Sequence, residues 1–335
     1  MVHFETVSGG TNLLDISKRL LDGDQRALSQ SISLLERNAP DGVSIMKDVY
    51  DSIKGIYCVG ITGSPGVGKS TITSRLTQIF RANGFSVAVL AIDPTSPFTG
   101  GAILGDRIRM NKHYQDPGVF IRSMATRGKL GGLPNMVNGV IRLLDAAGND
   151  VVLVETVGVG QTGVDVSNVV DTVVVTVVPE GGDSIQTFKA GLMEIADIYL
   201  VNKADRPGAR RMIHAIDSYL GTAIANEDWT IPLLSGKART GEGMSELYEA
   251  INLHYEFMTE TGLLDKRRRE RRFKEMSGII EEHFSRLTKQ LINSDPRLKN
   301  LLSMVEDGKA EPYSSVIELL NDVSYSFDWC GDSFQ

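Results

Sequence analysis

The stretch Gly63-Ser64-Pro65-Gly66-Val67-Gly68-Lys69-Ser70-Thr71 decides how the chain is read, because its first eight residues fit G-x-x-x-x-G-K-S. Upstream, residues 56–61 have the composition of a buried strand. Downstream, Ile72, Leu76, Ile79 and Phe80 recur at helical spacing across residues 71–82. A strand, a glycine-rich loop and a helix in that order make a phosphate cradle. The glycines let consecutive N–H groups turn toward an anion at the positive end of the helix. Lys69 can then reach β- and γ-phosphates, and the Ser70 hydroxyl can ligate Mg²⁺. All nine residues are candidate nucleotide contacts, with Lys69 also a candidate catalytic cation.

Composition bounds the rest. A chain of 335 residues, 41% of them hydrophobic, has enough apolar surface for a large core with appendages or for two domains. Its net charge of −7 offers no general basic surface to nucleic acid. No apolar run approaches the roughly 20 residues of a membrane span. Cys58 and Cys330 are the two cysteines, too few for a disulfide framework and fitting a reducing compartment. The first residues carry no charged-then-apolar signal pattern. These features predict a cytoplasmic protein without nucleic-acid or membrane partners.

Residues 1–55 read as a helical preface. Leu13, Leu14, Leu20, Leu21, Leu28, Ile32 and Leu35 form apolar faces, Asp24 suits a helix cap, and residues 38–42 break the pattern. Short apolar segments then follow at 86–92, 119–122, 151–155, 172–178, 198–202 and 231–234, separated by loops or by helix-like stretches such as 130–147 and 210–220. Unbroken hydrophobicity means burial on both faces, so the expected fold is α/β: a mostly parallel sheet of P-loop type with helices on each side. Ligands of such sheets sit at the carboxyl ends of the strands. From residue 259 the composition changes. Lys266, Arg267, Arg268, Arg269, Arg271, Arg272 and Lys274 lie in a helical stretch, 263–291, whose apolar face is Phe273, Met276, Ile279, Ile280, Phe284 and Leu287. A solvated helix face with acidic partners elsewhere explains that basic run. Three parts are expected: a helical extension at 1–55, a nucleotide-binding domain at 56–258 and a helical arm at 259–335.

Further motifs fall where strands end. Asn202-Lys203-Ala204-Asp205 follows the segment from residue 198; a carboxylate at Asp205 can accept from guanine N1–H and the 2-amino group, which adenine cannot offer. The Lys203 stem can lie along the base and Asn202 can brace the loops. Ser235-Gly236-Lys237, after the next strand, suits a meeting of backbone N–H with guanine O6. The nucleotide is therefore expected to be GTP. Glu155 ends another strand and can hold a Mg²⁺-bound water, while the Gly158 N–H can reach the γ-phosphate, in a loop that tightens with GTP and relaxes with GDP. Val159 stands where Ras-like GTPases place a water-orienting glutamine, so unaided hydrolysis should be slow; Gln161 is nearby, although a polar loop residue is its commoner reading. Residues 93–106, with Asp93 and Asp106 as candidate metal-shell carboxylates, read as a Mg²⁺-sensing loop or as a structural one. A second glycine-rich loop at 125–132 has no assignment.

Together, residues 21–28, 63–71, 93–110, 124–132, 155–161, 183–191 and 202–205 resemble the methylmalonyl-CoA mutase-associated GTPases, long labelled arginine/ornithine transport-system kinases. The resemblance covers roughly residues 12–320. It implies a homodimeric GTPase that uses GTP, GDP and Mg²⁺ and that delivers adenosylcobalamin to an acyl-CoA mutase, protecting or reactivating it. Adenosylcobalamin is met only through that partner enzyme. Asp93, Asp106 and Glu155 match the family's magnesium shell. Gln186 and Lys189 match its third switch, which relays nucleotide state to the mutase, whereas from sequence alone Lys189 is a solvated helix residue. The 259–335 arm matches its dimerisation element. Lys129 stands where histidine is common, and Arg107-Ile108 replaces a usual Lys-Thr.

Two other classes compete. A kinase that phosphorylates an amino-acid-binding transport protein would need an acceptor base that no motif supplies. A metal-insertion GTPase usually carries Cys-x-x-Cys or His-rich segments, whereas His3, His113, His214, His254 and His283 are scattered.

Overall fold

The Val- and Ile-rich runs lie side by side. The computed structural model describes residues 13–37, 39–93, 112–125, 132–156, 166–179, 193–223 and 229–321. Helices α1 (Leu13–Leu21), α2 (Gln25–Glu36) and α3 (Pro40–Val49) precede strand β1 (Tyr57–Thr62). Then come α4 (Lys69–Ala82), β2 (Val87–Asp93), β3 (Val119–Ala125), α5 (Gly132–Ala146), β4 (Val151–Thr156), β5 (Thr172–Val177), β6 (Ile198–Asn202), α6 (Ala209–Ala223), β7 (Leu233–Gly236), α7 (Met244–Glu260) and α8 (Leu263–Ser294). The seven strands form one sheet in the order β3-β2-β4-β1-β5-β6-β7, every pairing parallel.

Alternation along the strands divides two cores. Cys58, Ala88, Leu90, Val152 and Val154 face α1, α2, α3 and α5, while Val59, Ile61, Val89 and Leu153 face α4 and α7. Both faces are covered, which is why the strands read as unbroken apolar runs. Helix α2 starts where Asp24 accepts from the N–H groups of Arg26 at 2.7 Å and Ala27 at 3.2 Å, satisfying donors that a helix start leaves open. The expected break at 38–42 is shorter than its composition suggests. Pro40 takes the first position of α3, where its missing N–H costs nothing, and Gly42 lies inside the helix. A Cβ there would come within 2.8 Å of the Leu35 nitrogen, so glycine permits the close approach of α2.

Strand ends shift from their expected places for local reasons. The last strand begins at Leu233, two residues later than the apolar run, because Pro232 has no N–H to give the ladder and contributes its carbonyl to Tyr199 N at 2.8 Å. Ser235 and Gly236 are consequently the last residues of β7, and Lys237 alone follows it.

At the amino ends of the strands, buried carboxylates collect backbone donors. Asp145, at the end of α5, accepts from the N–H groups of Lys54, Gly55 and Ile56 at 2.7–3.1 Å. Asp171 accepts from Cys58 N at 3.0 Å, and Asp197 from Val173 N at 2.8 Å. Part of the basic run of α8 lies here: Arg268 and Arg271 pair with Asp171, and Arg267 with Asp197. Lys266, Arg269 and Arg272 are exposed. Glu275 pairs with Arg142 of α5.

The chain divides into two compact units, Met1–Glu275 and Met276–Gln335. In the second, α9 (Pro296–Glu306) starts at Asp295, which accepts from Arg297 N at 2.8 Å, and α10 (Pro312–Asn321) follows. Among the described residues, no helix is long and apolar enough to cross a membrane.

Candidate functional site

The loop from Gly63 to Gly68 leaves β1, the central strand, and feeds α4. Its glycines are dictated by geometry. Gly63 has φ +142°, and a Cβ there would lie 2.1 Å from the Thr176 carbonyl oxygen; Gly68 has φ +101°, and a Cβ would lie 2.5 Å from Asn202 Nδ2. Any other residue would push the loop away from β5 and β6. Gly68 is the residue before α4, and the Thr71 and Ile72 N–H groups both donate to its carbonyl at 3.0 Å. The positive helix end therefore opens at the loop.

Lys69 is 7% exposed. Its Nζ donates to the loop carbonyls of Gly63 at 2.8 Å and Ser64 at 3.1 Å, so the ammonium lies folded over the cradle. Ser70 is buried, and its Oγ donates to Glu155 Oε1, at the end of β4, at 2.6 Å. Next to Glu155, the Thr156 hydroxyl donates to Thr62 Oγ1 at 3.0 Å, locking the ends of β4 and β1 together. A buried hydroxyl beside a carboxylate at the mouth of the loop is an all-oxygen set of the kind Mg²⁺ takes, so the residues present fit that ion. Asp93 ends β2, whose neighbour in the sheet is β4. The Asp93 side chain, Asp106, Gly158, Val159, Gln161, Gln186 and Lys189 lie outside the described residues.

The base-side motifs converge on the same loop. Asn202 is 2% exposed. Its Nδ2 donates to Val67 O at 2.7 Å and its Oδ1 accepts from Ala238 N at 3.0 Å, bracing the loop after β1 against the turn after β7. Lys203 Nζ donates to Gly66 O at 2.7 Å, laying its stem across the mouth of the site. Its φ of +56° is the one positive value outside glycine among the described residues, and the next N–H, of Ala204, donates to Gly236 O at 3.1 Å. Asp205 is exposed. Lys237 makes an ion pair with Glu242 at 2.8 Å; the Glu242 bond and charge, followed by the charge of Asp205, raise the ammonium's pKa and keep it protonated. Its own N–H donates to Glu242 O at 2.8 Å. Gly63 to Thr71, Glu155, Asn202 to Asp205 and Ser235 to Lys237 thus come together at the carboxyl ends of β1, β4, β6 and β7.

Two residues at this end escape a reading of motifs. His113 is 5% exposed and shares a 2.8 Å hydrogen bond with Ser74, one turn beyond Ser70 on α4; burial lowers its imidazole pKa. Arg75 reaches from α4 to the carbonyls of Ala238 and Arg239. The signal for Arg75 was present, since Thr71, Arg75 and Gln78 share a helical face, but an arginine on such a face looks like any solvated one.

A parallel sheet with a phosphate loop after its central strand, and a base-side motif two strands away, defines a P-loop nucleotide-binding protein. The model of the family described as methylmalonyl Co-A mutase-associated GTPase MeaB matches residues 28–293, and the chain belongs to that family of GTPases. It is 45% identical over 314 residues to a protein of Pyrococcus horikoshii named as a GTPase, covering 92% of this chain and 98% of that one. It is 31% identical over 324 residues to the methylmalonic aciduria type A homolog, mitochondrial, of Caenorhabditis elegans, covering 90% of this chain and 80% of the relative. Among solved structures, the LAO/AO transport system kinase shares the fold with a TM-score of 0.70 at 24% identity, covering 96% of this chain and all of that one.

Proposed function

We propose that this GTPase is a chaperone of an adenosylcobalamin-dependent acyl-CoA mutase of the methylmalonyl-CoA type, coupling GTP hydrolysis to loading and protection of that enzyme. The observation that carries the nucleotide half is the Asn202 bridge from Val67 O to Ala238 N, which makes the phosphate loop and the base-side turn one rigid receptor. The partner half rests on the family match over residues 28–293. The cobalamin is met through the mutase.

In this reading Lys69 leaves the carbonyls of Gly63 and Ser64 for the β- and γ-phosphates, and the N–H groups at the start of α4 hold the phosphate oxygens. Ser70 and Glu155, with Asp93 and Asp106, hold Mg²⁺, which when bound offsets charge on the phosphates. Gly158 meets the γ-phosphate. Asp205 reads the N1 and 2-amino side of guanine, Lys203 covers the base, and Ser235, Gly236 and Lys237 line its 6-oxo side. The three-part division also stands as a proposal, with residues 259–335 as a homodimerisation arm. Phe273, Met276, Ile279, Ile280 and Phe284 of α8 are 44–66% exposed, an apolar run that a second copy would cover.

Val159, at the position where a water-orienting glutamine would help, makes hydrolysis slow in isolation. The test is single-turnover GTP hydrolysis with and without the cognate mutase. The rate should rise at least about tenfold on docking, well within the roughly 10³–10⁵ that supplied transition-state groups provide. Lys189→Ala should lose most of that ratio. Equal rates with and without the mutase would overturn the chaperone reading, and a full ratio in Lys189→Ala would remove that residue from it.

A further inference from the structure

Arg75 lies on α4, less than two turns beyond Lys69, yet its guanidinium acts on the base-side turn. Nε donates to Ala238 O at 3.1 Å, Nη2 to Arg239 O at 2.9 Å, and Nη1 to Gln78 Oε1 at 3.2 Å, which fixes the plane of the fork. Ala238 is 1% exposed, and its N–H is already held by Asn202 Oδ1. This residue is therefore gripped from both sides, by an amide anchored on the phosphate loop and by an arginine anchored on the phosphate-loop helix. The turn beyond it closes on itself, with the Thr240 and Gly241 N–H groups donating to Lys237 O at 3.0 Å and Lys237 N to Glu242 O at 2.8 Å. Nothing inside that closed turn sets its height above the phosphate loop. Ser235 and Gly236, before it, are held by the pairing of β7 with β6 and by Ala204 N donating to Gly236 O, and beyond Lys237 the two grips on Ala238 hold it.

We propose that Arg75 is a positioning residue for base recognition. It holds the turn just after β7, residues 237–240, at the height where its backbone meets the 6-oxo group of guanine beside Ser235 and Gly236, while Asp205 reads the N1 and 2-amino side independently. The inference rests on the guanine reading given above. A planar fork with donors in three directions is required, because an ammonium cannot hold two successive carbonyls and a glutamine oxygen in one plane. Contacts to the 6-oxo group separate guanine from adenine, whereas contacts to the 2-amino group separate guanine from hypoxanthine.

The experiment compares GTP, ITP and ATP on the full-length protein, in wild type, Arg75→Met, Arg75→Lys and Asp205→Asn. Arg75→Met keeps the aliphatic stem and removes every donor. It should lower the preference for GTP over ATP by about tenfold, through KM more than through kcat, and leave the preference for GTP over ITP unchanged. Arg75→Lys should recover part of the loss. Asp205→Asn should lower the preference for GTP over ITP. Each readout is a ratio between nucleotides on one sample, so a loss of folded protein moves neither. An unchanged GTP over ATP preference in Arg75→Met, with Asp205→Asn behaving as expected, overturns the role of Arg75 and leaves the guanine reading standing. Unchanged preferences in Asp205→Asn overturn the guanine reading beneath it.

Discussion

At the amino end of β5, the Asp171 carboxylate is 1% exposed and fully engaged, accepting from Cys58 N at 3.0 Å, from Arg268 at 2.7 and 3.1 Å and from Arg271 at 2.5 Å. At the carboxyl end of β1, its neighbour in the sheet, the Lys69 ammonium is nearly as buried, and it donates to two carbonyls of its own loop. Both are ions taken out of water within one domain. One is held by charges of opposite sign from a distant helix, and removing a partner there leaves a buried charge. The other donates to neutral carbonyls that a phosphate oxygen can outcompete, since charged hydrogen bonds are roughly twice as strong as neutral ones. The base of the sheet is built to stay as it is, and the top is built to exchange partners.

The largest expected effect breaks the top alone. Lys69→Ala should reduce GTP hydrolysis on the order of 10²–10³-fold, the usual loss when one preorganised donor to a developing charge is removed. Its thermal unfolding should stay near that of wild type, because the loop carbonyls that lose a donor are neutral groups. Hydrolysis assays and melting curves run side by side check this; near-normal turnover would mean that the loop is not where phosphate is cleaved.

Next comes a break at the base. Burial pushes the Asp171 carboxyl up, but the hydrogen bonds from Arg268 and the charges of Arg271 and Arg268 outweigh it and hold the group below its ordinary value. A depressed folded pKa contributes stability that is fully present above the unfolded value of about 3.9 and is lost as pH falls through the folded value. Asp171→Asn strands two arginines and should cost about 3–5 kcal/mol, measured by urea denaturation at neutral pH. The deficit should shrink as pH falls below about 4 toward the lower folded value, because the unfolded wild-type carboxyl takes up its proton before the folded one does. The GTP over ATP preference of the folded variant should not change.

The same contrast explains what the sequence could reveal. The top was legible because phosphate and guanine chemistry demand particular residues at fixed spacing. Gly63, Gly68, Lys69, Ser70 and Asn202 to Asp205 could be placed from the pattern alone, and the structure brings them together. The sheet was legible too, since burial on both faces writes itself as unbroken Val and Ile. The base was not. Asp145, Asp171 and Asp197 each stand singly at the end of an element, and their partners, main-chain N–H groups for Asp145 and arginines for the other two, lie about 70–100 residues away along the chain. The basic run of α8 revealed cations without revealing their acids. Arg75 was hidden in a similar way: it grips the turn through main-chain carbonyls, which every sequence has.

The smallest expected effect sharpens the comparison. Lys237 and Glu242 form an ion pair as short as those at the base, 2.8 Å, but their side chains are 33% and 64% exposed. Exposed pairs gain little because water already solvates both ions and two long side chains must be ordered to meet. The main-chain bond from Lys237 N to Glu242 O survives any change of the Glu242 side chain, and Asn202 and Arg75 hold the turn from outside. Glu242→Gln should therefore leave the melting temperature unchanged and shift KM for GTP by less than about twofold. Raising salt to about 1 M, which shortens the screening length to about 3 Å, should act equally on variant and wild type. A melting loss comparable to that of Asp171→Asn would mean that the top depends on its ion pair as the base does. The division between an end that holds and an end that exchanges would then fail where it is drawn most finely, between two carboxylates that meet cations at nearly the same distance, one shut away from water among two arginines and a main-chain N–H and the other open to it.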